Sequence, residues 1–370
     1  MDSLPTEVQI DILKYLNSNQ LLSMQKTNSY FNHLINDNKN QLARKEFFKI
    51  KFFQINKESM YTYSNVFEPE PKVYEFELSE QLEKKWKCGI EKGISMFLSD
   101  NQESIYSFSY ELTKEDEIGS LSITLHLPNF PKTIEEMKIA RYVFQQIFTC
   151  VFKRADFNYV IFNPQMIELL FDDNKTKIPL QIHTTREVRL RIFPDYYDKN
   201  LLLKCILHHI LSNLLILMFS IRSDQALETL FKILTNGGNK FYKVFKSMLV
   251  GFREDFREDF REEFREEFRE DSENLTKLYN HIIEHIVETE DISKMVKELG
   301  FFIEQEPVIS KKAENIKIEF ETVYYDENLK STKYRLSNER NPEMKFCVHV
   351  RERRKFYPFP CFHVEIKRIN

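Results

Sequence analysis

From about Leu121 onward, short apolar runs alternate with longer stretches of helical periodicity, and the alternation recurs at near-constant spacing. Candidate strands begin at Asn158 (NYVIF), Val188 (VRLRIF), Leu214 (LLILMF) and Val244 (VFKSML), 30, 26 and 30 residues apart. Helical patterning fills the intervals in TIEEMKIARYVFQQIFTCVF, PQMIELLF, KNLLLKCILHHI and SDQALETLFKIL. The next candidate, VKELGFFIE from Val296, comes 52 residues later. That interval holds a tandem array of about 20 residues, without which the spacing returns to about 32. A parallel strand, its crossover helix and the next strand need about this length. The chain is therefore expected to be α/β or α+β, with a βα-repeat domain over 121–370 and a linker and entry segment over 49–120. A repeat of 26–32 residues suits an irregular, leucine-rich-repeat-like solenoid. An ordinary α/β domain with coincidental spacing accounts for the same text.

Two segments depart from the repeat. KFCVHV and CFHVEIK each alternate apolar and polar residues, with Phe346, Val348 and Val350 on one strand and Phe362, Val364 and Ile366 on the other. They read as an antiparallel pair closing the C-terminal end, with Pro358 and Pro360 in the connection. The array FREDFREDFREEFREEFRED, 252–271, repeats Phe every four residues. As a helix, its Phe stripe winds by about 40° per unit, and like charges stack at i,i+4. It is expected to be an inserted, acidic, solvated helix.

The array also explains the charge. The chain carries −4, whereas Arg253–Asp271 alone has five Arg against ten acids, so the remainder is close to neutral. A near-neutral remainder has no global basic field for nucleic acid. Arg351–Phe359 (RERRKFYPF) is a local basic-aromatic run, read as a solvated loop. Asn200–Ile221 imitates a membrane span, but Lys204, His208, His209, Ser212 and Asn213 fall in its middle. A central Lys opposes insertion, and Ser212-Asn213 reads as a break between a helix and a strand. Neither nucleic acid nor membrane is expected as a partner.

The five cysteines, Cys88, Cys150, Cys205, Cys347 and Cys361, are scattered and form no CxxC spacing, which points to a reducing compartment. The opening MDSLPTEVQ has no apolar signal core. Together these give an intracellular expectation, cytoplasmic or nuclear. The 33 Phe occur beside frequent Asn, Lys, Ile and Tyr, a composition that AT-rich coding produces.

Few motifs carry chemistry. His281, Glu284 and His285 match the HxxEH of inverted zinc peptidases. The flanking Leu275, Leu278, Tyr279, Ile282, Ile283, Ile286 and Val287 make this an amphipathic helix with the two imidazoles on its flank, and no third ligand stands out. No phosphate-cradling Gly loop and no GxSxG occurs. No cofactor, metal or catalytic residue is expected, and the chain is expected not to be an enzyme.

The first 48 residues pose a different question. LPTEVQIDILKYL has Pro5 where a first helical turn tolerates it. Leu4, Tyr15, Val8, Ile12, Pro5, Leu16 and Leu13 cover roughly half the helix circumference. Two more short helices follow, one with Leu21, Leu22 and Met24, the next capped by Asn28 or Ser29 and carrying Tyr30, Phe31, Leu34 and Ile35. So small a unit is marginal unless something covers its spare apolar surface.

Leu4, Pro5, Glu7, Ile12, Leu13 and Leu16, then Leu21, Leu22, Phe31, Leu34 and Ile35, resemble the F-box motif. The sequence departs from that pattern at Thr27-Asn28-Ser29, where the family carries an aliphatic residue, a small residue or Cys, and a basic one. The resemblance implies a three-helix module docking on a Skp adaptor of a cullin ubiquitin ligase, with a downstream domain holding a protein target. It also implies that Leu4, Pro5, Ile12, Leu13, Leu16, Leu21, Leu22 and Phe31 are shared between the module's core and its adaptor face. Downstream, FNPQMIELLFDDNKTKIPLQIHTT (Phe162–Thr185) looks like the large F-box families of plant-parasitic nematodes.

Overall fold

The computed structural model describes residues 4–16, 18–38, 41–56, 70–99, 106–113, 123–172, 179–192, 194–219, 221–247, 258–323, 327–353 and 361–369. It divides into two compact units, Met1–Arg186 with His208–Leu211, and Glu187–Leu207 with Ser212–Asn370.

The first unit opens with three short helices, α1 (Thr6–Leu13), α2 (Ser18–Gln25) and α3 (Ser29–Asp37). They close around Leu13, Leu21, Phe31, Leu34, Ile35 and Leu42. Then come β1 (Lys45–Asn56), α4 (Pro71–Tyr74), α5 (Glu80–Glu91), β2 (Phe97–Ser99), β3 (Tyr106–Thr113), β4 (Ile123–Leu127), α6 (Ile134–Thr149), β5 (Cys150–Asn158), β6 (Val160–Phe162) and α7 (Pro164–Leu170). Residues 49–120 thus carry strands and helices of their own. β1 pairs parallel with β5 and antiparallel with β3, which in turn pairs antiparallel with β4. β2 and β6 form a separate antiparallel pair.

Several boundaries differ from expectation. The strands expected from Val188, Leu214 and Val244 start earlier, at Ile182, Ile210 and Phe241, and NYVIF holds the end of β5 and then β6, which pairs with β2 apart from the larger sheet. The helical text TIEEMKIARYVFQQIFTCVF stops being helical at Thr149, and β5 starts at Cys150. Pairing with β1 decides this stretch, because an apolar run of this kind fits a helix or a strand equally well until a partner strand is present. Much of the Phe content goes into the core that follows. The Phe162 ring meets Phe52, Phe144 and Phe157 edge-on, at centroid distances of 4.8, 5.0 and 5.5 Å. Such pairs add about 0.5–1.5 kcal/mol each beyond their buried area. Trp86 is fully buried, and its indole N–H donates to the Leu169 carbonyl at 2.9 Å. Gly89, on the same helix, lets α5 lie against Leu169, since a Cβ there would come within 2.2 Å of Leu169 Cδ2.

The chain passes between the units within β7 (Ile182–Arg191) and near the junction of α8 (Lys199–His209) with β8 (Ile210–Met218). The second unit continues with α9 (Asp224–Asn236), β9 (Phe241–Lys246), α10 (Glu258–Glu288), β10 (Glu298–Ile303), β11 (Glu314–Val323), β12 (Glu327–Ser337), β13 (Lys345–Arg353) and β14 (Cys361–Ile369). β8, β9 and β10 pair parallel, with α9 and α10 as crossovers. β14 lies antiparallel to β10, and β13, β12 and β11 follow antiparallel in turn. The class is therefore mixed α and β, with parallel strands alternating with helices and an antiparallel set beside them.

The expected pair KFCVHV and CFHVEIK is β13 with β14, in the register Val348↔Ile366 and Val350↔Val364, all four buried. β11 and β12 extend it to a four-stranded meander. Pro358 and Pro360 lie outside the described residues. The membrane-like text divides at His209, three residues before Ser212, into helix and then strand. Among the described residues no helix is long and apolar enough to cross a membrane. His209 is buried with Nδ1 2.7 Å from the Leu180 carbonyl, whereas His208 is exposed.

The backbone of the Phe-Arg-acid array is helical from Glu258 and continuous with the rest of α10. Phe252 and Phe256 lie outside the described residues. The array's last residue, Asp271, is buried. Its carboxylate accepts from Lys246 Nζ at 2.9 Å and from the Ile221 backbone N–H. Asn274, one turn on, donates to the Ile221 carbonyl at 2.6 Å.

Candidate functional site

The N-terminal helices bury one face of α1 and leave another open. Gln9, Leu13 and Leu16 turn toward α2 and α3, with Leu13 fully buried and Leu16 packed at the margin. Leu4, Val8 and Ile12, followed by Tyr15 in the turn after α1, fall at i, i+4, i+8 and i+11. Val8 and Ile12 share a face of α1, with Leu4 ahead of the N-cap Pro5 and Tyr15 beyond the helix end. Leu4 and Val8 are about two-fifths exposed, and Tyr15 is 91% exposed. On α2, Leu21 points into the core while its neighbour Leu22 is 50% exposed. Tyr30 at the start of α3 is exposed, and Phe31 is buried edge-on to it at 5.4 Å.

The residues expected to serve both core and partner therefore sort into two groups. Leu13, Leu21 and Phe31 are core. Leu4, Pro5 and Leu22 are exposed, and Ile12 and Leu16 are half-buried between the groups. Val8 and Tyr15, present in the sequence-level helical arc, belong to the exposed set.

Gln9 was not legible as part of this surface. It is a buried polar residue in the middle of an apolar helix. Its side-chain amide donates to the Leu4 carbonyl at 2.7 Å, and its carbonyl accepts from the Tyr30 hydroxyl at 3.0 Å. One side chain thus fixes the segment bearing Leu4 and Pro5 to the first turn of α3. A polar residue at a core angle of a helical wheel is the only sequence signal for it, and it names no partner.

The turn before α3 also has a local explanation. Asn28 is the N-cap, its Oδ1 accepting from Phe31 N at 2.9 Å, and Thr27 Oγ1 donates to the Met24 carbonyl at 2.7 Å. The departure at Thr27-Asn28-Ser29 thus supplies capping chemistry where α2 ends and α3 begins.

The other constellations assemble differently. His281 is exposed and His285 half-buried, and both present their rings to Phe231, at 6.3 and 5.5 Å. His285 Nδ1 lies 2.9 Å from Thr289 Oγ1, and burial holds this imidazole below its ordinary value. Among the described residues no three His, Cys, Asp or Glu side chains converge as a metal site. Of the basic-aromatic run, Arg351 pairs with Glu365 at 3.0 Å, and 354–360 lie outside the described residues. Burial pushes the Cys150 thiol up to about 11 and that of Cys361 to about 12, so neither is a ready nucleophile.

Residues 1–48 match the F-box-like family model, which supports an F-box protein. Residues 67–220 match a domain of unknown function, DUF8381. No curated protein and no solved structure matches the chain.

Proposed function

We infer that this chain is a substrate-recognition subunit of a Skp–cullin–F-box ubiquitin ligase, holding the Skp adaptor with its N-terminal helices and a protein target with the downstream units. The observation that carries this reading is the set of open apolar side chains Leu4, Val8 and Tyr15, beside Leu22, on a module matched to the F-box-like family. Full burial of such a side chain from full exposure contributes about 1.5–3 kcal/mol, and covering Leu4, Val8 and Leu22, already half or more buried, contributes part of that each. A module this small gains from an adaptor what its own core does not provide.

The mechanism is proximity. The adaptor side fixes the chain to the ligase, and the downstream side keeps a target lysine near a ubiquitin-loaded enzyme, raising its effective concentration. In this reading no residue of the chain makes or breaks a bond, and none needs a cofactor. Within the second unit, the βα run β8–α9–β9–α10–β10 is the proposed presenting surface, and the solenoid reading of 121–370 stops short of the antiparallel strands β11–β14. The likeness of Phe162–Thr185 to expanded nematode F-box families belongs to the same reading, as does intracellular location.

The interface is tested at exposed positions, because Leu13→Asp would report on the module's folding. Leu4→Asp with Val8→Asp should reduce capture of the full chain by purified Skp adaptor at least tenfold, with the thermal unfolding profile unchanged. Equal capture by the double variant and the wild type would remove the proposed interface.

A further inference from the structure

β11 is the terminal strand of the second unit's order, paired with β12 along one edge. Among the described residues no strand pairs with its other edge. It runs ten residues, Glu314–Val323, with no proline. Its apolar side chains lie on the face that Thr332 and Tyr334 of β12 bury, yet at this edge they stay open. Ile318 is 53% exposed and Phe320 65%, with Ile316 exposed beside them. Lys317 and Glu319 project to the opposite face, where Glu319 lies 4.0 Å from Lys333 of β12. A bulge between Glu314 and Lys317, with Asn315 at φ 52°, breaks the register at the start of the strand. Beyond the bulge the edge is regular. A long regular edge with a row of exposed apolar side chains is a template for a further strand.

The sequence of the edge selects the strand that fits. When β11 is laid antiparallel to a second β11 about a two-fold axis through Ile318, Lys317 stands opposite Glu319 of the other copy, and Glu319 opposite its Lys317. On the other face Ile316 meets Phe320, Phe320 meets Ile316, and Ile318 meets itself. Side chains opposite one another in such a ladder must share a face, so the axis can move only by whole residues. Moved to Lys317 it sets lysine against lysine, and moved to Glu319 it sets glutamate against glutamate. Like charges directly opposite are destabilising and unlike charges favourable. The Glu319-centred register also places Lys317 opposite Glu321, but it keeps Glu319 against Glu319; of these three registers, only the Ile318-centred one sets no like charges opposite one another.

We propose that β11 is a self-association edge, and that two copies of this chain join their sheets through antiparallel β11 strands in the Ile318-centred register. The pairing is isologous and closes at two copies. It uses the backbone edge for affinity, the Ile316–Ile318–Phe320 row for burial and the Lys317–Glu319 pairs for register. It is independent of the adaptor reading.

The test is sedimentation equilibrium of the full chain with charge-reversed variants, each checked by thermal unfolding to be folded. The wild type should show a concentration-dependent monomer–dimer equilibrium. Lys317→Glu alone and Glu319→Lys alone each set like charges against each other twice, and should weaken dimerisation by roughly tenfold or more. The Lys317→Glu, Glu319→Lys double variant restores both opposite-charge pairs with their order exchanged, and should recover the wild-type constant to within about threefold. A chain that stays monomeric throughout overturns the proposal. So does a dimer indifferent to the single reversals, whose contact then lies elsewhere, on the open apolar side chains at α1 for example. Single reversals that weaken dimerisation without rescue by the double variant likewise overturn the register.

Discussion

Lys246 and Asp271 lie 25 positions apart in sequence and 2.9 Å apart in space, both almost wholly buried. The ammonium also donates to the Ser247 carbonyl at 3.1 Å and sits 5.7 Å from the Phe219 ring. Removing one member strands the other charge without water, which typically costs about 3–5 kcal/mol. Lys246→Met should therefore lower the unfolding free energy of the second unit by that order, read as a lower denaturant midpoint. Adding Asp271→Asn should recover most of the loss, since the amide oxygen can still accept from Ile221 N–H and no charge remains. None of this was visible in the text. Asp271 closes the last unit of a tandem repeat, where every acid looks equivalent, and only folding singles out this one. Gln9 is similar: its composition class says surface, and its two hydrogen bonds place it inside.

At the scale of elements, periodicity was informative wherever a helix or strand buries one face. PQMIELLF and SDQALETLFKIL are α7 and α9 within a few residues at either end. The alternating tail segments are β13 and β14. The failures share a cause. β5 follows α6 with no turn residue between them, so no Gly, Pro or Asn marks the change of period. β1 and β11 bury little on one side, and edge or half-covered strands carry weak signals. Capping residues were more legible, because their chemistry is local. Asn28→Ala should cost about 1 kcal/mol, measurable as a lower unfolding midpoint of the N-terminal module. It should leave the open apolar side chains at α1 in place.

For the whole molecule, the mixed α and β class was legible from the alternating periods, and the F-box-like match of residues 1–48 was legible through the motif residues that resemble that family, not through amphipathicity alone. The electrostatic lattice on the second unit's sheet was not, since it depends on cross-strand register. There Lys243 bonds Glu298 and lies 3.3 Å from Glu365, while Arg351 bridges Glu365 and His363. Burial, then the neighbouring Arg351, Arg353, Lys243 and His349, hold the His363 imidazole down to about 4. An imidazole in the unfolded chain takes its proton near pH 6.5. The unfolded state therefore binds more protons between about pH 6.5 and 4, and stability falls as pH falls through that window. Urea midpoints measured across this range should decline on the acid side, and His363→Gln should flatten the decline. A decline of equal steepness in that variant would assign it to other groups.

The union of the tandem array with α10 has a geometric corollary. Asp271 is clamped at one end, and each four-residue unit upstream advances a helix by about 6 Å and overshoots a whole turn by about 40°. Gain or loss of a unit in the helical stretch would lengthen or shorten a rod and swivel its tip by a fixed increment, while the fulcrum at Lys246 stays where it is. Copy number would then act as a dial for reach, adjustable in discrete clicks by slippage in the coding DNA and silent in the core.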